Sequence, residues 1–337
     1  MKVGLLLNPQ TPDGGKPADV WRENLALAEL AEDVGFSSVH LPEHHGRSDD
    51  HLPQPLVALA AIAGRTRTIK VGTSVLLAPL RHPLHLIEEA NVLDVVSGGR
   101  VILGLGLGNH APEFASFGLS TSDQGDRFDE TLEILTQAWS SGIVNYKGKY
   151  FSLNHVSIRP RPVQSPHPEL WIGATSVRGA RRAGKFGASL LLDPINSIEQ
   201  LVPLVDAYRV SAEESGYAAK TILMRWACVD ADLERIERQW WPQMEPLVSM
   251  YTEEIPRYDA SVRTTDAGAS LFATFSPDRL LVGGSSDIIE MASKWTMRLG
   301  ADYLVVKLQG PGGPWGSSAL EVVSEFGAKV VSDLASV

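Results

Sequence analysis

A carboxylate and two imidazoles stand side by side near the start of the chain, at Glu43, His44 and His45. They follow the apolar residues 37–41 and precede a polar stretch, which predicts a short strand that delivers them into a loop. Histidine changes charge closest to physiological pH, and a neighbouring carboxylate suits it to general acid–base chemistry. The alternative interpretation is a pair of solvated loop histidines.

Metal binding is the other chemistry that nine histidines suggest. The sequence contains no H-x-H or H-E-x-x-H pattern on a single element, and the adjacent side chains of His44 and His45 point in opposite directions along a strand. A shared metal is therefore less favoured than an organic cofactor, and we expect no metal ligands.

The elements that position these residues alternate regularly between strand and helix. Eight strand-like runs, most of them followed by a helix, lie at 2–7, 39–41, 69–77, 100–108, 170–174, 189–192, 222–229 and 302–307. This alternation predicts an α/β fold, a single (β/α)8 TIM-type barrel, with a doubly wound open sheet as the alternative. We expect one domain over residues 1–337, with a hairpin insertion at about 143–168 and a lid-like insertion at about 234–276, before the last unit. Its part at 252–276 shows no clear period.

In such a barrel the active site lies at the C-terminal ends of the strands. The third strand offers Thr73, Ser74 and Val75 there. The fourth carries glycines at 104, 106 and 108, a spacing that differs from the G-x-G-x-x-G dinucleotide fingerprint. Alternate glycines leave one face bare, either for a flat ligand at Gly106 or simply for barrel packing.

The fifth strand ends at Ala174, Thr175 and Ser176 and passes into a helix. Hydroxyl side chains there predict a helix cap, and the amides and dipole of the helix start attract an anion. Arg178, and Arg127 from another helix, are cations that would complete a phosphate pocket. Ordinary capping without a ligand is the alternative.

Composition excludes several function classes. The 30 basic and 40 acidic residues give a net charge of −10, which disfavours binding to nucleic acid or to an anionic membrane surface. A single cysteine excludes an internal disulfide and fits a reducing, cytoplasmic location. No apolar run reaches the ~18 residues of a membrane span.

Taken together, these motifs resemble the bacterial luciferase-like flavin-dependent monooxygenases. The resemblance rests on the order and spacing of Leu41-Pro42-Glu43-His44-His45, Val71-Gly72-Thr73-Ser74-Val75, Pro79, His82-Pro83, Glu89, Leu93-Asp94, Ser97-Gly98-Gly99-Arg100, the alternate glycines, Glu113, Phe117-Gly118, Arg127-Phe128-Asp129-Glu130, Trp171-Ile172-Gly173 and Val282-Gly283-Gly284-Ser285.

The resemblance implies that FMN binds at the strand ends, against a non-prolyl cis peptide between Ser74 and Val75. It implies that His44 is the catalytic acid/base, oriented by Glu43 or a neighbour, and leaves His45 between catalytic support and packing. The phosphate contacts that it implies are Arg127, Thr175 and Ser176. Luciferase has an arginine where this chain has Leu107, so one cation for the phosphate is missing there. Arg178 would supply that cation instead.

The activity implied is oxygenation of a small organic substrate by reduced FMN and O₂ through a flavin peroxide. A separate reductase would supply the reduced FMN, since nothing in the sequence resembles a nicotinamide-binding domain. The resemblance also implies a homodimer formed through helices near the start of the chain. A deazaflavin-dependent hydride-transfer enzyme, a non-catalytic flavin-binding protein and a metal-dependent barrel hydrolase are the alternatives. The substrate cannot be inferred from the sequence.

Overall fold

The protein folds around a closed parallel barrel, as seen in a computed structural model that describes residues 1–254 and 270–335. The strands are β1 (Lys2–Leu6), β2 (Ser38–Leu41), β3 (Lys70–Thr73), β4 (Leu76–Leu77), β5 (Val101–Gly106), β6 (Ile143–Lys147), β7 (Ser152–Ser157), β8 (Glu169–Ala174), β9 (Ser189–Leu192), β10 (Thr221–Val229), β11 (Leu280–Gly283) and β12 (Ala301–Lys307). Eight of them pair in the order β1-β2-β3-β5-β8-β9-β10-β12, and β12 returns to β1. The predicted barrel is confirmed, and the open-sheet alternative is wrong.

Helices follow most of the strands and cover the outside of the barrel. They are α1 (Pro17–Asp33), α2 (Pro55–Arg65), α3 (Pro83–Ser97), α4 (Ala111–Ser116), α5 (Gln124–Ser141), α6 (Val177–Lys185), α7 (Ile198–Glu214), α8 (Leu233–Arg235), α9 (Trp241–Glu254), α10 (Leu271–Arg279), α11 (Ser285–Leu299), α12 (Ser317–Phe326) and α13 (Ser332–Leu334). Two π-helical segments join neighbouring helices: Ile236–Trp240 joins α8 to α9, and Gly327–Val331 joins α12 to α13. Among the described residues, no helix has both the length and the apolar character needed to cross a membrane.

Two details of the strands differ from the sequence-based expectation. The third strand, predicted as one run, is split into β3 and β4 around a cis peptide bond between Ser74 and Val75. The short strand β11 was not predicted; it pairs with the end of β10 that extends beyond β9, with Trp226 opposite Leu280. β2 and β9 are equally short, but they belong to the eight strand–helix units, whereas β11 is an additional strand beside β10.

Inward-facing side chains fill the barrel. Alternate residues of the strands form an interior cluster of Leu6, Ile102, Trp171, Leu191, Ile222, Met224, Tyr303 and Val305. A separate apolar cluster from α9, α10 and the ends of β10 and β11, including Trp226, Trp241 and Phe275, lies near the mouth. Because both clusters are packed, the space left for a ligand lies between them, at the C-terminal ends of the strands.

The two predicted insertions differ in how far they are described. The first contains the antiparallel hairpin β6–β7, as expected from its sequence. In the second, α9 ends at Glu254 and α10 begins at Leu271. Residues 255–269, the central part of the predicted lid, lie outside the described residues.

Candidate active site

A cavity of about 390 Å³ opens at the C-terminal mouth of the barrel. Its walls come from the ends of β2, β3, β5, β8, β9 and β10, and from α9 through Tyr251. The lining includes Pro42, Glu43, His44, Ser74, Val75, Gly106, Leu107, Gly173, Ala174, Thr175, Ser176, Leu191, Leu192, Asp193, Ile195 and Met224. The strand ends compared in the sequence analysis therefore converge on one space.

His44 is held by a carboxylate from a different part of the chain. Its Nδ1 lies 3.1 Å from Oε1 of Glu113, on α4, and the backbone N–H of His45 donates to the same oxygen at 2.8 Å. Burial raises the pKa of Glu113, but these hydrogen bonds outweigh it and hold that pKa below its ordinary value. Glu113 is therefore ionised. As acceptor it fixes the His44 proton on Nδ1 and leaves Nε2 to exchange a proton.

Glu43, the residue next to His44 in sequence, has other partners. Its carboxylate accepts hydrogen bonds from Arg81 at 2.6 Å and from the backbone N–H of Leu77 at 2.6 Å, and pairs with His45 Nε2 at 2.8 Å. The Glu43 side chain is completely buried. Glu43 thus joins the β2 end to the segment after β4 and fixes His45, whereas Glu113 orients His44.

One wall of the cavity is formed by Ser74 and Val75, which the cis peptide joins. The glycines of β5 and β8 make room for this segment. A Cβ at Gly104 would lie 2.0 Å from the carbonyl oxygen of Thr73, and one at Gly106 would lie 2.2 Å from a methyl group of Val75. Both interpretations of the glycine spacing therefore apply. The glycines leave room for the Ser74–Val75 segment to pack against β5, and that segment forms a wall of the cavity.

A buried polar chain supports this wall from inside the barrel. The Tyr303 hydroxyl donates to Ser38 Oγ at 2.7 Å, Ser38 Oγ lies 2.7 Å from His40 Nε2, and His40 Nδ1 lies 3.0 Å from Ser74 Oγ. Burial lowers the pKa of His40 to about 3. His40 is therefore neutral, and the direction of the chain makes its Nδ1–H the donor to Ser74.

The cavity continues into a second hollow of about 200 Å³ beside the start of α6. The two share Leu107, Gln124 and residues 173–176. Ser176 caps α6 through its side chain, which accepts from the N–H of Gly179. Arg178 lies at the rim with three quarters of its side chain exposed and forms a loose ion pair with Asp126 at 3.8 Å. Arg182 is buried and paired with Asp129 at 2.5 Å. This end of the cavity combines a helix N-terminus with a solvent-facing guanidinium, the features of an anion site.

Arg127 does not reach this hollow. Its guanidinium donates to the carbonyl of Pro79 at 3.1 Å and lies over the rings of Tyr150 and Phe151, 5.4 and 4.9 Å from their centroids. It joins the β6–β7 hairpin to the segment after β4. Of the two predicted phosphate contacts, Arg178 lines this hollow and Arg127 does not, and a role for either in binding phosphate stays a prediction.

The structure brings together the other predicted site residues with two exceptions. Thr73 lies beneath the wall and binds Gly104 through its side chain. His45 lines neither hollow, and its ring contacts Glu43 and Phe117 instead. Sequence reasoning missed the role of Glu113, although the motif that contains it was noted. It also missed the apolar wall of Leu191, Ile195 and Met224. Their hydrophobicity gave no signal that distinguishes a cavity wall from a core.

Comparison with known proteins agrees with this geometry. A family model described as luciferase-like monooxygenase matches residues 1–278. The chain belongs to this family.

Other luciferase-like proteins show how far the likeness extends. An uncharacterized protein of Sinorhizobium fredii, y4wF, is 37% identical over 198 residues, covering 58% of this chain and 57% of the relative. A protein of Microbacterium testaceum named F420-dependent glucose-6-phosphate dehydrogenase is 33% identical over 195 residues, covering 55% of this chain and 57% of the relative. The crystal structure of monooxygenase RslO1 from Streptomyces bottropensis is 25% identical, covers 99% of both chains and has a TM-score of 0.81. The matches span little more than half the length of the curated relatives.

Proposed function

We propose that this luciferase-like protein uses reduced FMN and O₂ to oxygenate a small organic substrate. The observation that carries the proposal is that the His44–Glu113 pair lines the same cavity as Ser74 and Val75, and that this cavity runs on to the N-terminus of α6. An acid/base group, a flat wall and an anion site in one continuous space suit a flavin nucleotide.

The residues present fit this cofactor. Val75, Gly106 and Gly173 would hold its ring, since the two glycines keep the wall beside Val75 free of other side chains. Thr175, Ser176 and Arg178 would hold its phosphate. Reduced FMN would supply the electrons that activate O₂.

The protein's own contribution is to position a proton and to limit access of water. His44, with Nδ1–H on Glu113, exchanges a proton at Nε2 with groups in the cavity. Leu191, Ile195 and Met224 form an apolar wall on the substrate side, which disfavours water next to the reacting groups.

We further propose that a separate flavin reductase supplies the reduced cofactor. Within residues 1–254 and 270–335 the chain forms one barrel with no second nucleotide-binding fold. We also propose that residues 1–337 form a single domain with insertions at about 143–168 and 234–276.

A homodimer is the assembly that we propose. Val92, Val95 and Val96 of α3 are 47%, 44% and 59% exposed, and Val57 of the adjacent α2 is 71% exposed. Apolar side chains at these spacings form a patch that a second copy of the chain would cover.

The test is a binding titration with oxidised and reduced FMN and with deazaflavin coenzyme, followed by a substrate screen under oxygen. We expect micromolar or tighter binding of FMN and oxygen-dependent product formation. His44→Ala should abolish turnover and leave flavin binding unchanged; turnover at the wild-type rate would refute the role of His44.

A deazaflavin-dependent hydride transfer is the second candidate. It is favoured by the 33% identity to the Microbacterium relative named F420-dependent, and by Leu107, which occupies a position where luciferase has a cation. Turnover with deazaflavin in the absence of oxygen, with none from reduced FMN in air, would establish it in place of the monooxygenase.

A further inference from the structure

One cationic side chain is buried at the barrel mouth without an acidic partner. Lys307 is the last residue of β12 and is 5% exposed. Two and four residues earlier, Val305 and Tyr303 belong to the barrel interior cluster, so strand alternation turns Lys307 inward as well. It stands in register with Trp226, and Met224, two residues before Trp226, lines the cavity.

The ammonium group of Lys307 has few partners. Its Nζ donates to Oδ1 of Asn8 at 2.9 Å, and the amide of Asn8 donates in turn to the carbonyl of Gly310 at 3.2 Å. Across residues 1–254 and 270–335, no carboxylate forms an ion pair with Lys307. Burial therefore lowers the pKa of Lys307 to about 7, with no acidic group opposing the shift. An ammonium carries three donors, so the protein leaves two of them for another acceptor.

A second buried polar group, His51, lies against the proposed acid/base. The ring of His51 meets the ring of His44 edge-on, with centroids 4.4 Å apart. Its Nδ1 is buried and has no hydrogen-bond partner among the residues that the structure describes. Burial, followed by the charges of His44, Lys307 and Arg47, holds the pKa of His51 well below its ordinary value. Asp49, the carboxylate nearby in the same loop, accepts from the backbone N–H of His51 and from the side chain of Gln10.

Burying a polar group without enough hydrogen-bond partners costs stability. Such groups are found at functional sites, where a bound ligand supplies the missing partner. We propose that Lys307 and His51 form a carboxylate-binding subsite beside His44. This inference rests on the proposed function and names the substrate class: a small organic carboxylate whose apolar body lies along Leu191, Ile195 and Met224.

The inference is tested by calorimetric binding of benzoate, cyclohexanecarboxylate and hexanoate, each compared with its neutral primary amide. Titrations are run on the protein with and without oxidised FMN. We expect at least one carboxylate to bind tighter than its amide. Lys307→Met should weaken carboxylate binding about 10- to 100-fold and leave amide binding within about twofold. Lys294→Met, at an exposed lysine of α11, is the matched control and should change neither.

Two further measurements separate recognition from a structural role. Methionine fills the space of lysine without a buried charge, so Lys307→Met should melt at or above the wild-type temperature. His51→Phe should also weaken carboxylate binding relative to amide binding, which covers the case in which Lys307→Met fails to fold.

Several results would overturn the inference. They are equal losses for acid and amide, unchanged carboxylate binding in both variants, or no binding of the three carboxylates to the wild type below about 10 mM. Because the titrations without FMN do not depend on the cofactor, a failure to bind flavin would refute the proposed function separately.

Discussion

Replacing Glu113 by glutamine tests whether the carboxylate that holds His44 takes part in the reaction. The His44 and Glu113 side chains are 13% and 2% exposed, so solvent screens their 3.1 Å contact only weakly. A hydrogen bond to a charged group contributes about 1.5–3 kcal/mol. At about 1.4 kcal/mol for each factor of ten, losing it in the transition state predicts a kcat about 10- to 100-fold lower.

Glutamine is nearly the same size as glutamate, and its carbonyl oxygen can still accept from the backbone N–H of His45. We therefore expect Glu113→Gln to keep its melting temperature within a few degrees and its flavin affinity unchanged. The assay is kcat with saturating reduced flavin and the substrate found by the screen. Glu325→Gln, at an exposed carboxylate paired with Lys329, is the matched control and should retain wild-type turnover.

The double variant decides between a coupled and an independent role. If Glu113 acts through His44, then Glu113→Gln should cost nothing more once His44 is alanine. Losses that multiply in the double variant would refute the coupling. Wild-type turnover in Glu113→Gln alone would refute the whole account of the pair.

Three other predictions follow from named contacts. Gly106→Ala should weaken FMN binding at least about tenfold in a fluorescence titration, because its Cβ would lie 2.2 Å from Val75; Gly64→Ala, in open space, is the control, and equal affinities for both would contradict the assignment of this wall. Val92→Glu should convert a dimer to a monomer in light scattering, whereas the control Met297→Glu, 83% exposed on α11, should not; a dimer that persists would exclude the α3 patch. Partial burial raises the pKa of Glu32, but hydrogen bonds from the backbone N–H groups of residues 67–69 outweigh it and lower that pKa to about 2. The stability that ionised Glu32 contributes is therefore present above about pH 4.5 and disappears as pH falls through 2. Urea unfolding should thus show Glu32→Gln less stable by about 1–2 kcal/mol at pH 7 and equal to wild type near pH 2, and a difference that does not change with pH would argue against this linkage.

The barrel could be predicted because its signal is repeated. Eight apolar runs followed by helical periodicity fix the fold class even when single boundaries shift by a few residues. Among the elements that were missed, β11 and α4 have four and six residues and lie outside this repetition. One of them supplies Glu113, so the part of the fold with the weakest pattern carries a residue of the candidate site.

Motifs that identify the family also differ in what they do. The Ser97-Gly98-Gly99-Arg100 turn is structural, because Gly98 and Gly99 take positive φ values and the guanidinium of Arg100 donates to carbonyls at Ala63, Thr66 and Ile69. From the sequence this arginine and Arg127 look as available to a phosphate as Arg178. Only the packing around each side chain separates them. The guanidinium of Arg127 lies over two aromatic rings, whereas that of Arg178 lies at an open rim, 3.8 Å from Asp126.

The Glu43-His44-His45 run is a second case in which the sequence alone does not show what a side chain contacts. Along an extended chain, residues i and i+2 share a side, so Glu43 and His45 pair with each other and His44 turns away from both. The partner of His44 then has to come from elsewhere in the fold, and it comes from a carboxylate 69 residues later. Adjacency in the sequence therefore does not predict the partner of His44. The same reasoning applies to Lys307 and His51, which are 256 residues apart in the sequence (307 − 51) and are brought to one barrel mouth only by closure of β12 against β1. Strand closure at the mouth, more than any contiguous motif, determines which side chains can act together in this protein.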